Sequence, residues 1–250
     1  MSHTLPPPPR DWRMRLARAW RAWCDRHARL DVLVLGDSHV RVFEHWWFMW
    51  ALPQVRWRII YVPGGTATGL YNPAARTQTH AQFEAALRGT AADYVVLNLG
   101  EVDTGYTIWA RALHHGTAVD AMLAQATAHY ERYIRELAPR CRLIVLSAPL
   151  PTLPDDFVPG DEVTTTRKAV PMTQRERTAL TLAFNDHIAA VCRTLGVPHL
   201  DDRERSLSAE GVVRDDWVRT DAPDHHYHRK SYARWLASRL APLLKDTRAV

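Results

Sequence analysis

The chain is poor in cysteine, with three in 250 residues: Cys24, Cys141 and Cys192. The odd count and wide spacing exclude a disulfide framework and a short-spaced zinc site, and the three read as buried or bystander thiols. No apolar run approaches the ~18 residues that a membrane-crossing helix needs. The first residues are polar and proline-rich, with no apolar stretch leading to a cleavage site. That argues against a secretory signal and leaves a reducing, cytoplasmic compartment as the expectation. The body also lacks net charge. The formal charge is +5, but residues 1–30 hold seven arginines against two aspartates, so 25 basic and 25 acidic residues remain in the rest. A nucleic-acid-binding body would carry its own basic face, so no nucleic-acid partner is expected. Hydrophobic residues make up 46% and charged residues 24%, the mix of a globular chain and not of a disordered one. A chain of this length can bury a core that needs neither disulfide nor metal.

What is present begins with Met1–Pro9, which contains four consecutive prolines and reads as a loose tail. From Asp11 to Leu30 a helical period emerges in Trp12, Leu16, Trp20 and Trp23, with arginines mainly between them. This amphipathic helix is expected to pack its tryptophans on the body. The alternative is a peripheral membrane or protein contact through residues 11–30, because arginine plus tryptophan is what an interfacial helix uses. The chain thus divides into 1–29, a tail and basic helix, and 30–250, a single α/β domain.

A repeated grammar follows. Leu30–Leu35, Val55–Val62, Tyr94–Leu99, Leu143–Leu146 and Val197–Leu200 are short apolar runs rich in branched residues, which suit strands buried on both faces. Between them lie helical stretches: one with Phe43, Trp46 and Trp47, one around Ala81–Leu87, and a long one near Val119–Leu137. Another opens at a Thr173/Glu176 capping box and stops at Gly196, and a last one runs from about Lys230 to Leu244. Pro149–Pro171 carries five prolines and reads as a long irregular loop, able to cover a site. Alternating strands and helices predict a five-stranded parallel sheet in a three-layer α/β/α architecture. Ligands in such sheets sit at the carboxyl ends of the strands.

The first strand ends in Gly36-Asp37-Ser38-His39. A serine there can expose its hydroxyl beside backbone N–H groups able to hold an oxyanion, although a serine that merely caps a helix is commoner. Near the far end stands Asp221-Ala-Pro-Asp224-His225-His226-Tyr-His228, which can supply the base and orienting carboxylate that a nucleophilic serine needs. Glu101 and Asp103 flank Val102 after the third strand, where they could cap a helix, pair with an arginine, or bind substrate hydroxyls. Arg175, Arg177 and Asn185 read as a solvated helix face, and Tyr106 and Trp109 as core with a sugar-stacking wall as the alternative.

Four blocks together resemble the SGNH (GDSL-type) hydrolases: VLVLGDSH, PGGTATGL, VVLNLGEVD and DHHYHRKSYARWLASRLAPLL, spanning Val32 to Leu244. The resemblance implies a flavodoxin-like SGNH fold and a serine esterase, O-acyl hydrolase or acyltransferase that needs no cofactor and no metal. The implied substrate is a small-molecule or glycan ester, with O-acetylated carbohydrate as one candidate. It makes Ser38 the nucleophile, with Ser38 and Gly64 as oxyanion donors. The base is His226, six residues before Tyr232, in preference to His225 or His228. Two departures stand out. The family's oxyanion asparagine falls on Val102, between two carboxylates that cannot donate a hydrogen bond when ionised. The usual aspartate falls on Pro223, so Asp224 or Asp221 must orient the histidine. The Gly-Glu-Val-Asp variant resembles a branch associated with bacterial cell-surface glycans, with Glu101 and Asp103 as its candidate substrate-binding residues. Two rival readings remain: a catalytically inactive SGNH-fold domain that binds a glycan or protein, and a metallophosphoesterase-like hydrolase using Asp37, His39, Glu101, Asp103, His226 and His228. Against the second, Ser147-Ala-Pro stands where a Gly-Asn-His box would follow the fourth strand.

Overall fold

The computed structural model describes residues 19–20, 22, 24, 26–219 and 224–245. Most of the basic N-terminal segment and the alternative acid Asp221 lie outside them. The expected 1–29/30–250 division and the contact proposed for residues 11–30 therefore rest on sequence. Of the segment before the sheet, residues 19, 20, 22, 24, 26 and 27 are helical. Among the described residues no helix is long and apolar enough to cross a membrane.

Five strands, β1 (Leu30–Gly36), β2 (Val55–Tyr61), β3 (Tyr94–Asn98), β4 (Leu143–Leu146) and β5 (His199–Leu200), form one all-parallel sheet in the order β2-β1-β3-β4-β5. That is the doubly wound, flavodoxin-like order. Side-chain alternation along β1 sorts its residues onto two cores. Val32 and Val34 face a layer that includes α1 (Trp46–Ala51) and the C-terminal helix Arg229–Leu240, with Phe43, Phe48, Leu236 and Leu240 buried there. Leu33 and Leu35 face the opposite layer of α2 (Thr79–Arg88), the long helix Val119–Leu137 and the helix Gln174–Leu195, with Phe83, Tyr130 and Phe184 buried. The helix before Val119 is α3 (Ile108–His115). The long one is α4, its bounds those the apolar period predicts. The Thr173/Glu176 capping box forms with both reciprocal bonds, and Gly196 ends the helix in the left-handed region at φ +66°.

Several boundaries differ from expectation. The fifth strand is only two residues long, because Val197 and Pro198 belong to the turn leaving the preceding helix, where Val197 N–H donates to the Cys192 carbonyl. The segment after β1 is not one helix but a tight 3₁₀ turn, Ser38–Glu44, followed by α1. The stretch 149–171 is not wholly irregular: it contains α5 (Glu162–Lys168), opened by an Asp161/Thr164 capping box. No hydrophobic period announces α5, and its Val163 is exposed. The capping-box helix Gln174–Leu195 is therefore α6, the short Arg203–Ser206 is α7, and the final helix is α8, which ends at Leu240 rather than Leu244.

The connection from β1 runs to β2 on one side, whereas β3 pairs on the other. The crevice between the carboxyl ends of β1 and β3 is thus the topological switch point, where doubly wound sheets hold their ligands. Gly36 ends β1 there. A β-carbon on it would crowd Val40 and come within 2.5 Å of the Asn98 carbonyl, so the close approach of β1 to β3 requires glycine.

Candidate active site

Asp37, buried at the end of β1, caps the 3₁₀ turn by accepting from the His39 N–H. The cap leaves Ser38 as the first residue of the turn, partly accessible at the switch point. From the other end of the chain, the segment before α8 brings in His226. Its Nε2 lies 2.9 Å from Ser38 Oγ, and its Nδ1 lies 2.6 Å from Asp224 Oδ1. An ionised carboxylate only accepts, so His226 Nδ1 carries the proton toward Asp224 and Nε2 is left to accept from the serine hydroxyl. Burial would push the Asp224 carboxyl upward. Hydrogen bonds and charge from His226, with a bond from Arg219, outweigh it and hold the carboxyl well below its usual range. Arg219 donates to Asp224 Oδ2 at 2.7 Å, and Thr152 Oγ1 donates to the Asp224 carbonyl at 2.6 Å. Loop residues after β4 therefore hold the acid's backbone: Thr152 directly, and the Leu150 N–H by donating to the Tyr227 hydroxyl at 2.6 Å.

These side chains line a cavity of about 370 Å³ that includes Ser38, His39, Arg41, Asp161, Arg219, Asp224, His225, His226 and Arg229. Tyr106 and Trp109 are not on its wall. Trp109 instead donates through its indole N–H to the Thr104 carbonyl and packs against the α2/α4/α6 core.

Behind the serine lies a buried line of alternating charge, of which the sequence suggested only an arginine partner for an acid after the third strand. His39 Nδ1 bonds Asp37 Oδ1 at 2.8 Å, and its Nε2 bonds the His225 carbonyl at 3.0 Å, with Glu101 3.7 Å away. Burial alone would lower the His39 pKa. The Asp37 and Glu101 carboxylates and the two hydrogen bonds outweigh it and raise it to about 9. Glu101 is held in a two-pronged bond by Arg167 of α5, both contacts at 2.7 Å. Burial opposes its ionisation, but Arg167 and His39 pull its pKa down to about 2. The neighbouring His225 is pushed down to about 4, first by burial and then, against the raising effect of Glu101, by the cations around it.

Glu101 and Asp103, expected to bind substrate, are both fully buried and turned onto protein partners. Asp103 accepts from Ala67 N–H, Thr68 N–H and Thr68 Oγ1, and so ties the 66–68 loop to the segment after β3. Burial raises its pKa to about 6 against those donors. The solvated-face reading of α6 also changes. Arg177 is buried and donates to the Leu153 carbonyl, and Asn185 clamps both backbone groups of Ala148. Arg175 is exposed, as expected for the three. Gly64 sits on the turn after β2 at φ +67°, exposed and outside the cavity wall. Val102 offers no donor, and the amide of Asn98 is committed to the Leu146 and Ser147 carbonyls.

The residues of a metal-box reading are spent elsewhere. Asp37 and His39 bond each other, Asp103 holds the 66–68 loop, and His228 bonds Ser231. Asp224, His225 and His226 are close enough to surround a cation, but both ring nitrogens of His226 already have partners.

No protein-family model matches the chain. No curated protein sequence matches it either. Solved structures do. Est24, a carbohydrate acetylesterase from Sinorhizobium meliloti, is similar at 14% identity over 86% of this chain and 100% of its own, with a TM-score of 0.53. The acetyl xylan esterase AlAXEase is similar at 14% identity over the same shares, with a TM-score of 0.51. A GDSL-like lipase from Bacteroides thetaiotaomicron is similar at 12% identity over 90% of this chain and 96% of its own, with a TM-score of 0.50. At such identities the likeness is one of architecture: the chain has the α/β/α fold of the GDSL-type (SGNH) hydrolases.

Proposed function

We propose that the protein is an SGNH-type serine esterase, an O-acyl hydrolase or acyltransferase acting on a small-molecule or glycan ester. The observation that carries this reading is the continuous line Asp224–His226–Ser38, with contacts of 2.6 and 2.9 Å opening onto a cavity. Ser38 attacks the ester carbonyl while His226 accepts its proton at Nε2. Asp224 stabilises the imidazolium, and His226 then returns the proton to the leaving alcohol. Water or a second alcohol releases the acyl group by the same steps in reverse. The Ser38 N–H is the candidate oxyanion donor on the cavity wall, and the Gly64 N–H, on the turn outside that wall, is the second candidate that the resemblance supplies. Glu101 and Asp103 are positioning groups in this reading: one anchors α5 and His39, the other the loop beside Gly64. The carbohydrate acetylesterase and acetyl xylan esterase among the similar structures favour an O-acetylated carbohydrate as substrate. The chemistry calls for no metal and no organic cofactor.

A serine-directed fluorophosphonate and an activated acetyl ester test the reading. Wild type should be labelled and should cleave the ester, while Ser38→Ala should lose the label and at least about 10³ of the rate. Full cleavage by Ser38→Ala would sink the proposal. Absence of both labelling and cleavage in wild type would favour the inactive binding domain.

A further inference from the structure

The wall of the cavity carries more cation than the triad needs. Ser38 and Arg41 lie three residues apart in a 3₁₀ turn, a geometry in which i and i+3 side chains eclipse about 6 Å apart along the axis. Arg41 thus stands one turn from the nucleophile, on its side of the helix. Arg229, the first residue of α8, donates from Nη2 to the Arg41 carbonyl at 2.7 Å and lines the same cavity. Both guanidinium side chains are about half exposed, at 50% and 47%. They share one carboxylate oxygen, Glu44 Oε2, at 3.3 and 3.5 Å. The remaining charges on the wall are committed. Asp224 serves His226 and Arg219, and Asp161 caps α5 through Thr164. His39 adds a buried cation at the floor. The ring of Tyr61 lies 5.3 Å from the Arg41 guanidinium carbon and flanks it. Next along the chain, burial and then the positive charges of Arg229, His228 and Lys230 lower the pKa of His45, as expected in a positive local field.

We propose that Arg41 and Arg229 form a subsite for an anionic oxygen group, carboxylate or phosphate, carried by the ester substrate about one helical turn from the carbonyl that Ser38 attacks. The inference rests on the esterase reading and narrows its substrate class to acidic esters. Two planar forks that share a single carboxylate oxygen and line the cavity have more N–H donors than that oxygen can take, and a guanidinium matches both oxyanion types in its geometry.

The test uses the full-length protein and three esters: phenyl acetate, 3-acetoxybenzoate and 3-acetoxyphenyl phosphate. Each kcat/KM is divided by the ester's own hydroxide-catalysed rate constant. At low ionic strength at least one acidic ester should be favoured about tenfold or more over phenyl acetate, and the two acidic arms separate carboxylate from phosphate preference. The preference should fade as salt rises toward ~1 M. It should shrink in Arg41→Gln and in Arg229→Gln and persist in Arg132→Gln, which changes an exposed arginine on α4. Equal normalised constants for all three esters, or a preference indifferent to both substitutions and to salt, would overturn the subsite. If wild type cleaves none of the esters and takes no fluorophosphonate label, the esterase reading falls by itself. The subsite is then decided by calorimetry on Ser38→Ala: benzoate or phenyl phosphate should bind more tightly than phenol, and Arg41→Gln should erase the difference. No difference would reject it.

Discussion

Removing Arg167 while leaving Glu101 in place is the sharpest test of the buried charge line. Their side chains are 5% and 0% exposed and joined by two 2.7 Å contacts. In Arg167→Met the Glu101 carboxylate stays in the core with only His39, 3.7 Å away, as a nearby cation. Stranding one member of a buried pair costs about 3–5 kcal/mol. For a chain of this size 1 kcal/mol moves the unfolding midpoint by about 2–4 °C, so Tm should fall by about 6–20 °C. The pH dependence should change too. In the wild type Glu101 is depressed from 4.5 to about 2, so its contribution is present above pH 4.5 and is lost as pH falls through about 2. In the variant the folded-state pKa rises, and the variant should close the gap on wild type as pH drops toward 4. His39 is raised from 6.5 to about 9. Its contribution is complete below pH 6.5 and disappears as pH rises through about 9, in both proteins. Thermal unfolding followed by circular dichroism between about pH 2 and 10 measures all of this. The double variant Arg167→Met/Glu101→Gln should recover most of the loss, because it removes the stranded charge. A Tm change under 2 °C in Arg167→Met, or a double variant no better than the single one, would refute the assignment.

Further outcomes are expected at the site and in the core. Asp224→Asn should keep the fold and reduce ester cleavage by about 10²–10⁴, since an amide lets the imidazole adopt the wrong tautomer; steady-state kinetics checks it. Val102→Asn restores the amide of the asparagine block that the third motif resembles, and kcat should rise by up to about 10²-fold; an unchanged kcat would show that the position does not serve the oxyanion. Gly36→Ala should push the Ser38 turn away from β3 and lower both stability and fluorophosphonate labelling, because its β-carbon meets Val40 and the Asn98 carbonyl. Asp202 is buried, with Oδ2 lacking a partner, and burial raises its pKa from 3.8 to about 7. The stability it favours is present below pH 3.8 and lost as pH rises through 7, so Asp202→Asn should gain in urea midpoint over wild type at pH 8 and not at pH 4.

Local pattern made much of the fold legible. Doubly apolar strands, the capping box at Thr173 and the period of α4 are short-range features, written within a few residues of where they act. The pairing of Ser38 with the histidine cluster nearly two hundred positions away was suggested by what a nucleophilic serine needs, and motif resemblance then singled out His226 among three neighbours. The supporting groups carried no such mark. Arg219, Thr152 and Arg167 lie in turns and loops or on a short helix without an apolar face, and nothing near them in sequence tells which carboxylate or carbonyl each will meet. Glu101 and Asp103 stayed open between capping, pairing with an arginine and binding substrate, because an acid after a strand looks alike whether it faces solvent, a buried arginine or a neighbouring loop.

The residue order was enough to dictate five strands, their parallel arrangement and the end of the sheet at which chemistry would be found, since these follow from side-chain alternation and connection length. Packing decided the rest. Only when α5 folds back over the sheet does Arg167 reach Glu101, and only when α8 docks beside the 3₁₀ turn do Arg229 and Arg41 share a wall. The carboxylates of Asp37 and Glu101 then favour the charged form of His39 against its burial, because a proton's affinity depends on the dielectric and the neighbours that the folded chain supplies.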